Sequence, residues 1–128
     1  MTIARVMVVD DEPDIRSIAE LSLASVGGWQ VILVASGDEA LAWLDEQRPD
    51  LVLLDVMMPA MDGPTVLGRL RASERRDGRP PLPVIFMTAK TQKREIAEYL
   101  AMGAQGVITK PFDPMTLPEQ IRGILGEA

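Results

Sequence analysis

Charged side chains in this sequence follow three short apolar runs, each of the kind that forms a buried parallel strand. They are an acidic pair, a single aspartate and a single lysine: Asp10, Asp11, Asp55 and Lys110. In an open α/β sheet, ligands bind in the crevice outside the carboxyl ends of the strands. Three carboxylates and an ammonium group at such ends therefore predict one charged pocket. Carboxylates this close repel one another unless a cation lies among them, which indicates a divalent metal site.

The composition narrows the choice of metal. The chain has no cysteine and no histidine, which excludes thiolate ligands, disulfides and the commonest transition-metal ligand. The metal is therefore expected to be a hard ion that prefers oxygen, such as Mg²⁺, with Mn²⁺ as a possible substitute. The net charge of −6 argues against nucleic-acid binding by this domain, because such binding needs a basic surface.

The length of 128 residues, with 47% apolar and 25% charged residues, predicts one globular domain over residues 1–128. No apolar run approaches the roughly 20 residues that cross a bilayer. The sequence enters a strand directly, which leaves no room for a signal peptide. We therefore expect a cytoplasmic protein that does not bind membranes.

Hydrophobic periodicity predicts five strands alternating with five helices. The strands are expected near residues 4–9, 30–35, 51–55, 83–88 and 106–109. The helices are expected near residues 13–26, 37–47, 63–75, 91–102 and 114–125. This alternation implies right-handed crossovers and a parallel sheet that is covered on both faces.

Local signals support the helix boundaries. Ser36 and Glu39 have the spacing of a capping box, and Asp62 before Pro64 predicts the start of the third helix. The first helix is expected to bury one face: Ile15, Ile18, Ala19, Ser22 and Val26.

The start of the fifth helix carries conflicting signals. Asp113 before Pro114 predicts a cap at that point, but Pro118 then falls a full turn inside the helix. A proline there removes an amide donor and crowds the preceding turn. The helix is therefore expected either to kink or to begin its regular part near Thr116.

Several short motifs follow one another at the predicted strand ends. They are VVDDE at 8–12, LDVMMP at 54–59, MDG at 61–63, MTAK at 87–90 and TKPF at 109–112. In this order and spacing they resemble the receiver domain of two-component response regulators, over essentially the whole chain. The resemblance is to single-domain receivers of the chemotaxis-regulator kind. It implies a flavodoxin-like, doubly wound sheet of five parallel strands in the order 2-1-3-4-5, with five helices.

The pocket suits phosphoryl transfer to an aspartate. A carboxylate can attack a phosphoryl group and form an acyl phosphate, provided that a metal and fixed cations neutralise the developing charge. Asp55 stands alone at the end of the predicted central strand, and the resemblance assigns it the role of phosphoacceptor. The resemblance also implies that Asp11 and Asp55 contact Mg²⁺ directly, Asp10 through a water molecule, and Met57 through its backbone carbonyl.

The resemblance implies roles for further residues. Lys110 would pair with the phosphoacceptor before transfer and with the phosphoryl oxygens afterwards, and its bond to Pro111 is expected to be cis. The Thr88 hydroxyl would turn inward to donate a hydrogen bond to the phosphoryl group, and this movement is the switch. Met57 and Lys90 occupy positions that tune the lifetime of the phosphorylated state.

One position departs from the family pattern. The family usually has Tyr or Phe on the fifth strand, three residues before the lysine, and its ring moves together with the threonine. This chain has Val107, which carries no ring. The signal is therefore expected to pass through the loop after Thr88 and the helix over residues 91–102. Tyr99 on that helix is expected either in the core or in contact with a partner.

The expected function is a signalling switch rather than an enzyme, with self-phosphorylation from small donors and self-dephosphorylation as its only catalysis. The expected partners are a histidine kinase or histidine phosphotransfer protein, docking beside the pocket on the first helix, and a downstream protein target. The output is expected to be protein contact, unless the chain is a fragment of a longer regulator. Output partners are expected on the face formed by the fourth helix, fifth strand and fifth helix.

Three alternatives compete with this function. An aspartyl phosphatase would need a second carboxylate as general acid two residues after the nucleophile, where Met57 stands. A flavin carrier would need a phosphate-binding loop after the first strand, where Asp10 and Asp11 would repel a phosphate. The last alternative is an adaptor with the same fold that acts without phosphate.

Overall fold

The computed structural model describes residues 2–126 of the chain. Its strands are β1 Arg5–Val9, β2 Gln30–Val34, β3 Leu51–Asp55, β4 Val84–Thr88 and β5 Gly106–Thr109. Its helices are α1 Pro13–Leu21, α2 Gly37–Glu46, α3 Gly63–Asp77, α4 Lys93–Ala101 and α5 Leu117–Leu125, and a π-helical segment, Ser22–Val26, continues α1. None of the helices within the described residues is long and apolar enough to span a membrane.

The strands form one parallel sheet in the order β2-β1-β3-β4-β5. This order confirms the predicted flavodoxin-like fold. The chain leaves β1 towards β2 on one side and later returns to β3 on the other side, so the order reverses between β1 and β3. Ligands of open α/β sheets bind at such a switch point, at the carboxyl ends of the strands.

The central strand β3 is buried along its whole length. Leu51 and Leu53 belong to the core on one face of the sheet, whereas Val52 and Leu54 belong to the core on the other face. A strand covered on both faces needs no polar alternation, which explains the continuous apolar run in the sequence. Asp55, the last residue of β3, therefore projects from a tightly packed element.

The first turn of α3 packs directly against the end of β3 and requires a glycine. A Cβ atom at Gly63 would lie 2.5 Å from the carbonyl oxygen of Asp55. The Gly63 amide donates to the Val56 carbonyl at 2.9 Å. Asp62 caps the helix as predicted, because its carboxylate accepts from the Thr65 amide at 2.8 Å. These contacts fix the loop that follows the central aspartate.

The predicted cap of α2 is also confirmed. The Ser36 hydroxyl accepts from the Glu39 amide at 3.2 Å. The Glu39 carboxylate reaches back to the amide of Ala35 at 2.7 Å, one residue before the donor of a standard capping box.

The start of α5 corrects one prediction. The helix begins at Leu117 rather than at residue 114, and Pro118 lies in its first turn, where a missing amide donor leaves no hydrogen bond unmade. The alternative of a start near Thr116 is therefore confirmed. The prediction that Asp113 caps this helix is wrong. Its carboxylate accepts from the Met115 amide at 2.9 Å and stabilises the turn before the helix.

The buried face of α1 is only partly as predicted. Ala19 and Ser22 are buried, but Ile18 and Val26 are 41% and 44% exposed. The helix widens into the π-helical segment at Ser22, which changes the angular position of every later residue. Leu23 is therefore buried instead of Val26, and Ile18 lies on the flank of the buried stripe.

Candidate functional site

The strand registers bring the predicted pocket residues to one edge of the sheet. β1 and β3 pair Val9 with Leu54, so the residues that follow these two, Asp10 and Asp55, are neighbours. β4 and β5 pair in a register that sets Thr88 opposite the residue before Lys110. All four residues stand at the carboxyl ends of strands, where the fold predicts a ligand site.

Three carboxylates form a compact cluster at this edge. Oxygen atoms of Asp10, Asp11 and Asp55 all lie within 4.8 Å of one another. Asp10 is fully buried, Asp55 is 4% exposed and Asp11 is half-buried, so the cluster opens to solvent on one side. Hard oxygen ligands at this spacing, with room for water molecules, fit Mg²⁺, which usually keeps several waters and binds through one or two carboxylates.

Lys110 bridges the two buried carboxylates. Its Nζ lies 2.6 Å from Oδ2 of Asp10 and 3.2 Å from Oδ1 of Asp55. The pairing with Asp55 was predicted from the resemblance, whereas the shorter contact with Asp10 was not. The peptide bond to Pro111 is cis, as predicted.

The electrostatic surroundings of Lys110 keep it charged. Burial by itself lowers the pKa of the ammonium group. The hydrogen bond and the charge of Asp10, together with those of Asp55, outweigh burial and raise the pKa above its ordinary value. The site therefore contains a permanent cation that can interact with incoming anionic oxygens.

Asp55 is destabilised as an anion. Burial, followed by the negative charge of Asp10, raises the pKa of Asp55 from 3.8 to about 6, against the charge and hydrogen bond of Lys110. Its Oδ1 also accepts from the Met57 amide at 3.3 Å. A further positive charge beside Asp55 would remove most of this electrostatic cost. The pocket thus favours both cation binding and reactions that consume the negative charge of Asp55.

Asp10 is held in place from three sides. Its Oδ1 accepts from the Glu12 amide at 2.9 Å, and Oδ2 accepts from Lys110. Its backbone carbonyl accepts from Nη1 of Arg16 at 2.7 Å. Arg16 was not predicted as a site residue, and its position one turn into α1 gave no signal beyond an ordinary surface charge.

Thr88 is buried beside the pocket and engaged in hydrogen bonds. Its Oγ1 accepts from the Lys90 amide at 3.0 Å, and its carbonyl accepts from the Lys110 amide at 2.9 Å. The Thr88 side chain is near enough to Tyr99 to influence its pKa: burial and the charge of Glu95 raise the pKa of Tyr99, and Thr88 opposes that rise. The contact with Tyr99 was not predicted from the sequence.

A cavity of about 180 Å³ opens over these groups. Its lining contains both acidic and basic residues: Glu12, Asp55, Met57, Thr88, Ala89, Lys90 and Lys110. Lys90 is exposed, and Met57 is 65% exposed, so both lie where they can control access of water. Val107 is half-buried and packs against the core cluster that contains Phe86 and Tyr99, away from this cavity lining.

The molecule is thus a flavodoxin-like α/β protein with an acidic, lysine-bridged site at its topological switch point. The chain belongs to the family of response regulator receiver domains, which its sequence matches over residues 6–122. It is 39% identical over 121 residues to the probable transcriptional regulator ycf27 of Porphyridium aerugineum, covering 94% of this chain and 48% of that protein. It is also 34% identical over 121 residues to the alkaline phosphatase synthesis transcriptional regulatory protein PhoP of Bacillus subtilis, with the same two coverages.

Solved structures agree with this assignment. Chemotaxis response regulator CheY4 of Vibrio cholerae superimposes with a TM-score of 0.85 at 32% identity, covering 96% of this chain and 99% of that one. The chain spans about half the length of the curated relatives named above.

Proposed function

We propose that this receiver domain is a Mg²⁺-dependent switch that accepts a phosphoryl group on Asp55. The observation that carries the proposal is the cluster of three carboxylates within 4.8 Å, bridged by Lys110. A site that binds a divalent cation through its carboxylates and an anionic phosphoryl group through its lysine accounts for both features at the same edge of the sheet.

The proposed transfer begins with attack by a carboxylate oxygen of Asp55 on the phosphorus atom of a phosphohistidine donor. The new O–P bond forms as the N–P bond of the donor breaks, and the imidazole nitrogen keeps the electron pair. The ammonium of Lys110 then leaves Asp55 and pairs with the phosphoryl oxygens. The Thr88 hydroxyl, which accepts from the Lys90 amide, turns towards the pocket and donates its own proton to another phosphoryl oxygen.

Asp10, Asp11 and Asp55 are the proposed side-chain contacts of Mg²⁺, with Asp10 acting through a water molecule and Met57 contributing its backbone carbonyl. When bound, the ion neutralises negative charge that develops on the transferred group. Lys90 and the exposed side chain of Met57 are proposed to set the lifetime of the acyl phosphate, because both line the cavity through which water must reach it.

A phosphohistidine donor lies outside these 128 residues, because they contain no histidine. We propose a histidine kinase or a histidine phosphotransfer protein that docks on α1. Ile18 and Leu21 of α1 are 41% and 65% exposed, and Met115 before α5 is 70% exposed. Exposed apolar side chains on α1 and before α5 are suited to such a contact.

The output is proposed to be protein contact in the cytoplasm, without nucleic-acid or membrane binding by residues 1–128. The curated relatives described above are named as transcriptional regulators, and this chain spans about half their length. The receiving surface is therefore proposed to be either a separate protein target or a further domain of a longer regulator.

The proposal is tested by incubating the purified chain with Mg²⁺ and acetyl phosphate and measuring its intact mass. We expect one phosphoryl group on the wild type, none on Asp55→Asn, and none on the wild type when EDTA removes the metal. Asp45→Asn is the matched control, because Asp45 is an exposed aspartate on α2. Equal phosphorylation of Asp55→Asn and Asp45→Asn would refute the site.

A further inference from the structure

Helices α2 and α3 lie side by side on the same face of the sheet, where both contribute to one core cluster. A Cβ atom at Gly37, the first residue of α2, would lie 2.6 Å from Cγ2 of Val66 in the first turn of α3. At the other end, Nη2 of Arg48, which follows α2, lies 2.9 Å from Oε2 of Glu74 in the last turn of α3. The two helices therefore run in the same direction, and their outer faces form one continuous surface.

The outer face of α2 is acidic along the whole helix. Its exposed residues are four carboxylates around one alanine: Asp38, Glu39, Ala42, Asp45 and Glu46. The helix contains no basic residue. Across residues 2–126, none of these four carboxylates lies within 4.0 Å of a basic side chain. The face therefore presents negative charge without an intramolecular ion pair.

The outer face of α3 has the opposite charge. Its exposed residues before the last position of the helix are small or basic: Thr65, Gly68, Arg69, Ala72, Arg75 and Arg76. Arg76 lies 3.4 Å from Asp77, the last residue of α3. Arg69 and Arg75 form no ion pair in the part of the chain that the structure describes. Guanidinium groups bind carboxylates well, because they can donate two parallel hydrogen bonds.

The two faces share a central alanine at the same height. Ala42 is five residues beyond Gly37 and Ala72 is six residues beyond Val66, and each residue adds about 1.5 Å along a helix. A two-fold axis between the two alanines lays α3 of a second copy antiparallel across α2, with Ala72 of that copy over Ala42. Small side chains at the crossing let two helices approach closely.

The same rotation brings opposite charges together. The pairs formed between α2 and α3 of the second copy are Asp38 with Arg76, Glu39 with Arg75, and Asp45 with Arg69. Each pair occurs twice, because a two-fold interface is isologous. A single exposed ion pair contributes little, but a repeated set fixes the orientation of two partners. The net charge of −6 opposes self-association, so we expect a weak dimer that depends on this local pattern.

We propose that the outer faces of α2 and α3 together form a homodimer interface, in which α2 of each copy contacts α3 of the other. Charge complementarity between the two faces identifies a second copy of this chain as the partner. The interface includes no residue of the phosphorylation pocket and none of α1. The inference therefore goes beyond the proposed function and does not rest on it.

Charge reversal, followed by sedimentation equilibrium, tests the pairing. We expect the wild type to dimerise as its concentration rises. Glu39→Arg and Arg75→Glu should each raise the Kd of the dimer by about 10-fold or more, because each sets like charges opposite one another twice. An equimolar mixture of the two variants should form a mixed dimer with the affinity of the wild type, since each reversed residue then faces the reversed residue of the other variant.

The matched control is a charge reversal on another helix. Arg94 of α4 has a side chain that is 91% exposed and lies outside the proposed interface. Arg94→Glu should dimerise as the wild type does. A dimer that is weakened by Arg94→Glu and unchanged in Glu39→Arg and Arg75→Glu would overturn the inference, because the contact would then involve α4.

Cross-linking tests the geometry independently, because the chain contains no cysteine. Ala42→Cys and Ala72→Cys are mixed, treated with a mild oxidant and separated by non-reducing electrophoresis. We expect a disulfide-linked dimer from the mixture. Either variant alone should stay largely unlinked, because the two-fold axis sets identical positions on different helix pairs.

The remaining outcomes separate this inference from the proposed function. A wild type that stays monomeric up to millimolar concentration would overturn the inference. Assemblies larger than a dimer, or a mixture of Glu39→Arg and Arg75→Glu that fails to associate, would also overturn it, since both contradict the two-fold pairing. A wild type that dimerises as expected but does not bind beryllofluoride in the presence of Mg²⁺ would count against the proposed function and support this inference.

Discussion

Two buried carboxylates in this domain have opposite surroundings. Glu74 of α3 is 2% exposed and has a donor for each oxygen: Nη2 of Arg48 at 2.9 Å, Nη1 of Arg71 at 2.9 Å and the Leu82 amide at 2.8 Å. Asp55 is 4% exposed, and it shares a single lysine with a second buried carboxylate, Asp10.

The pKa values of the two groups differ in direction for this reason. Burial raises the pKa of Glu74, but the Leu82 amide and the two arginines outweigh it, and the net pKa lies below the ordinary value. The pKa of Asp55 is raised to about 6, because burial and Asp10 outweigh Lys110. A carboxylate with a full set of donors stabilises the fold. One that lacks them costs stability and is available for a cation and a reaction.

The largest expected effect is the loss of stability when Glu74, the carboxylate with a full set of donors, loses its charge. Glu74→Gln removes one partner of two buried ion pairs and leaves Arg48 and Arg71 without their counter-charge. We expect a loss of about 3 kcal/mol in the free energy of unfolding at pH 7, measured by urea titration. The pKa of Glu74 is lower in the folded protein than in the unfolded chain. The stabilisation is therefore fully present when the pH is above the unfolded-chain pKa, and it is lost as the pH falls through the folded-state pKa.

The control for Glu74 is an exposed pair on another helix. Arg94 and Glu98 of α4 lie 3.9 Å apart with side chains 91% and 59% exposed. Glu98→Gln should change the free energy of unfolding by less than about 0.5 kcal/mol. Similar losses for Glu74→Gln and Glu98→Gln would show that burial and partner number do not distinguish the two sites.

The second expected effect is a gain in stability when Asp55 loses its charge. Asp55→Asn removes a buried charge that the metal-free protein does not satisfy, so we expect it to stabilise the fold by about 1 to 3 kcal/mol at pH 7 in EDTA. The pKa of Asp55 is 3.8 in the unfolded chain and about 6 in the folded protein. The free-energy cost of the buried Asp55 charge is therefore absent below pH 3.8 and develops as the pH rises to about 6. The advantage of Asp55→Asn should therefore vanish near pH 4. An equal advantage at every pH would contradict this explanation.

The third expected effect is a loss of Mg²⁺ affinity when one carboxylate of the cluster is removed. Asp11→Ala removes one of the three clustered carboxylates, and we expect Mg²⁺ affinity to fall by about 10-fold or more in a titration. Asp14→Ala is the matched control, because Asp14 is an exposed aspartate in the first turn of α1. Equal Mg²⁺ affinities in the two variants would place the metal elsewhere.

Much of the fold and of the pocket was predictable because it depends on local pattern. Apolar runs buried on both faces identify the strands, and a charged residue directly after such a run must lie at the carboxyl edge. Asp55 and Lys110 are therefore placed by the sequence. Their order across the sheet came from the family resemblance, because periodicity does not determine which strands are neighbours.

The remainder depends on packing that sequence patterns do not encode. The π-helical segment at Ser22 changes which residues of the first helix are buried, and no propensity indicates it. The packing of the Tyr99 ring of α4 against the Phe86 ring of β4 joins two elements whose relative position only the folded chain defines. The sequence left two alternatives for Tyr99, packing in the core or contact with a partner. Its buried ring supports packing in the core.

The most direct test of the central claim is to identify the residue that carries the phosphoryl group. Reduction of an acyl phosphate with borohydride converts the modified aspartate into homoserine, which peptide mass spectrometry can locate. After reaction with acetyl phosphate and Mg²⁺, we expect homoserine at position 55 and unchanged aspartates at positions 10 and 11. Homoserine at either of those two positions, or at none of the three, would contradict it.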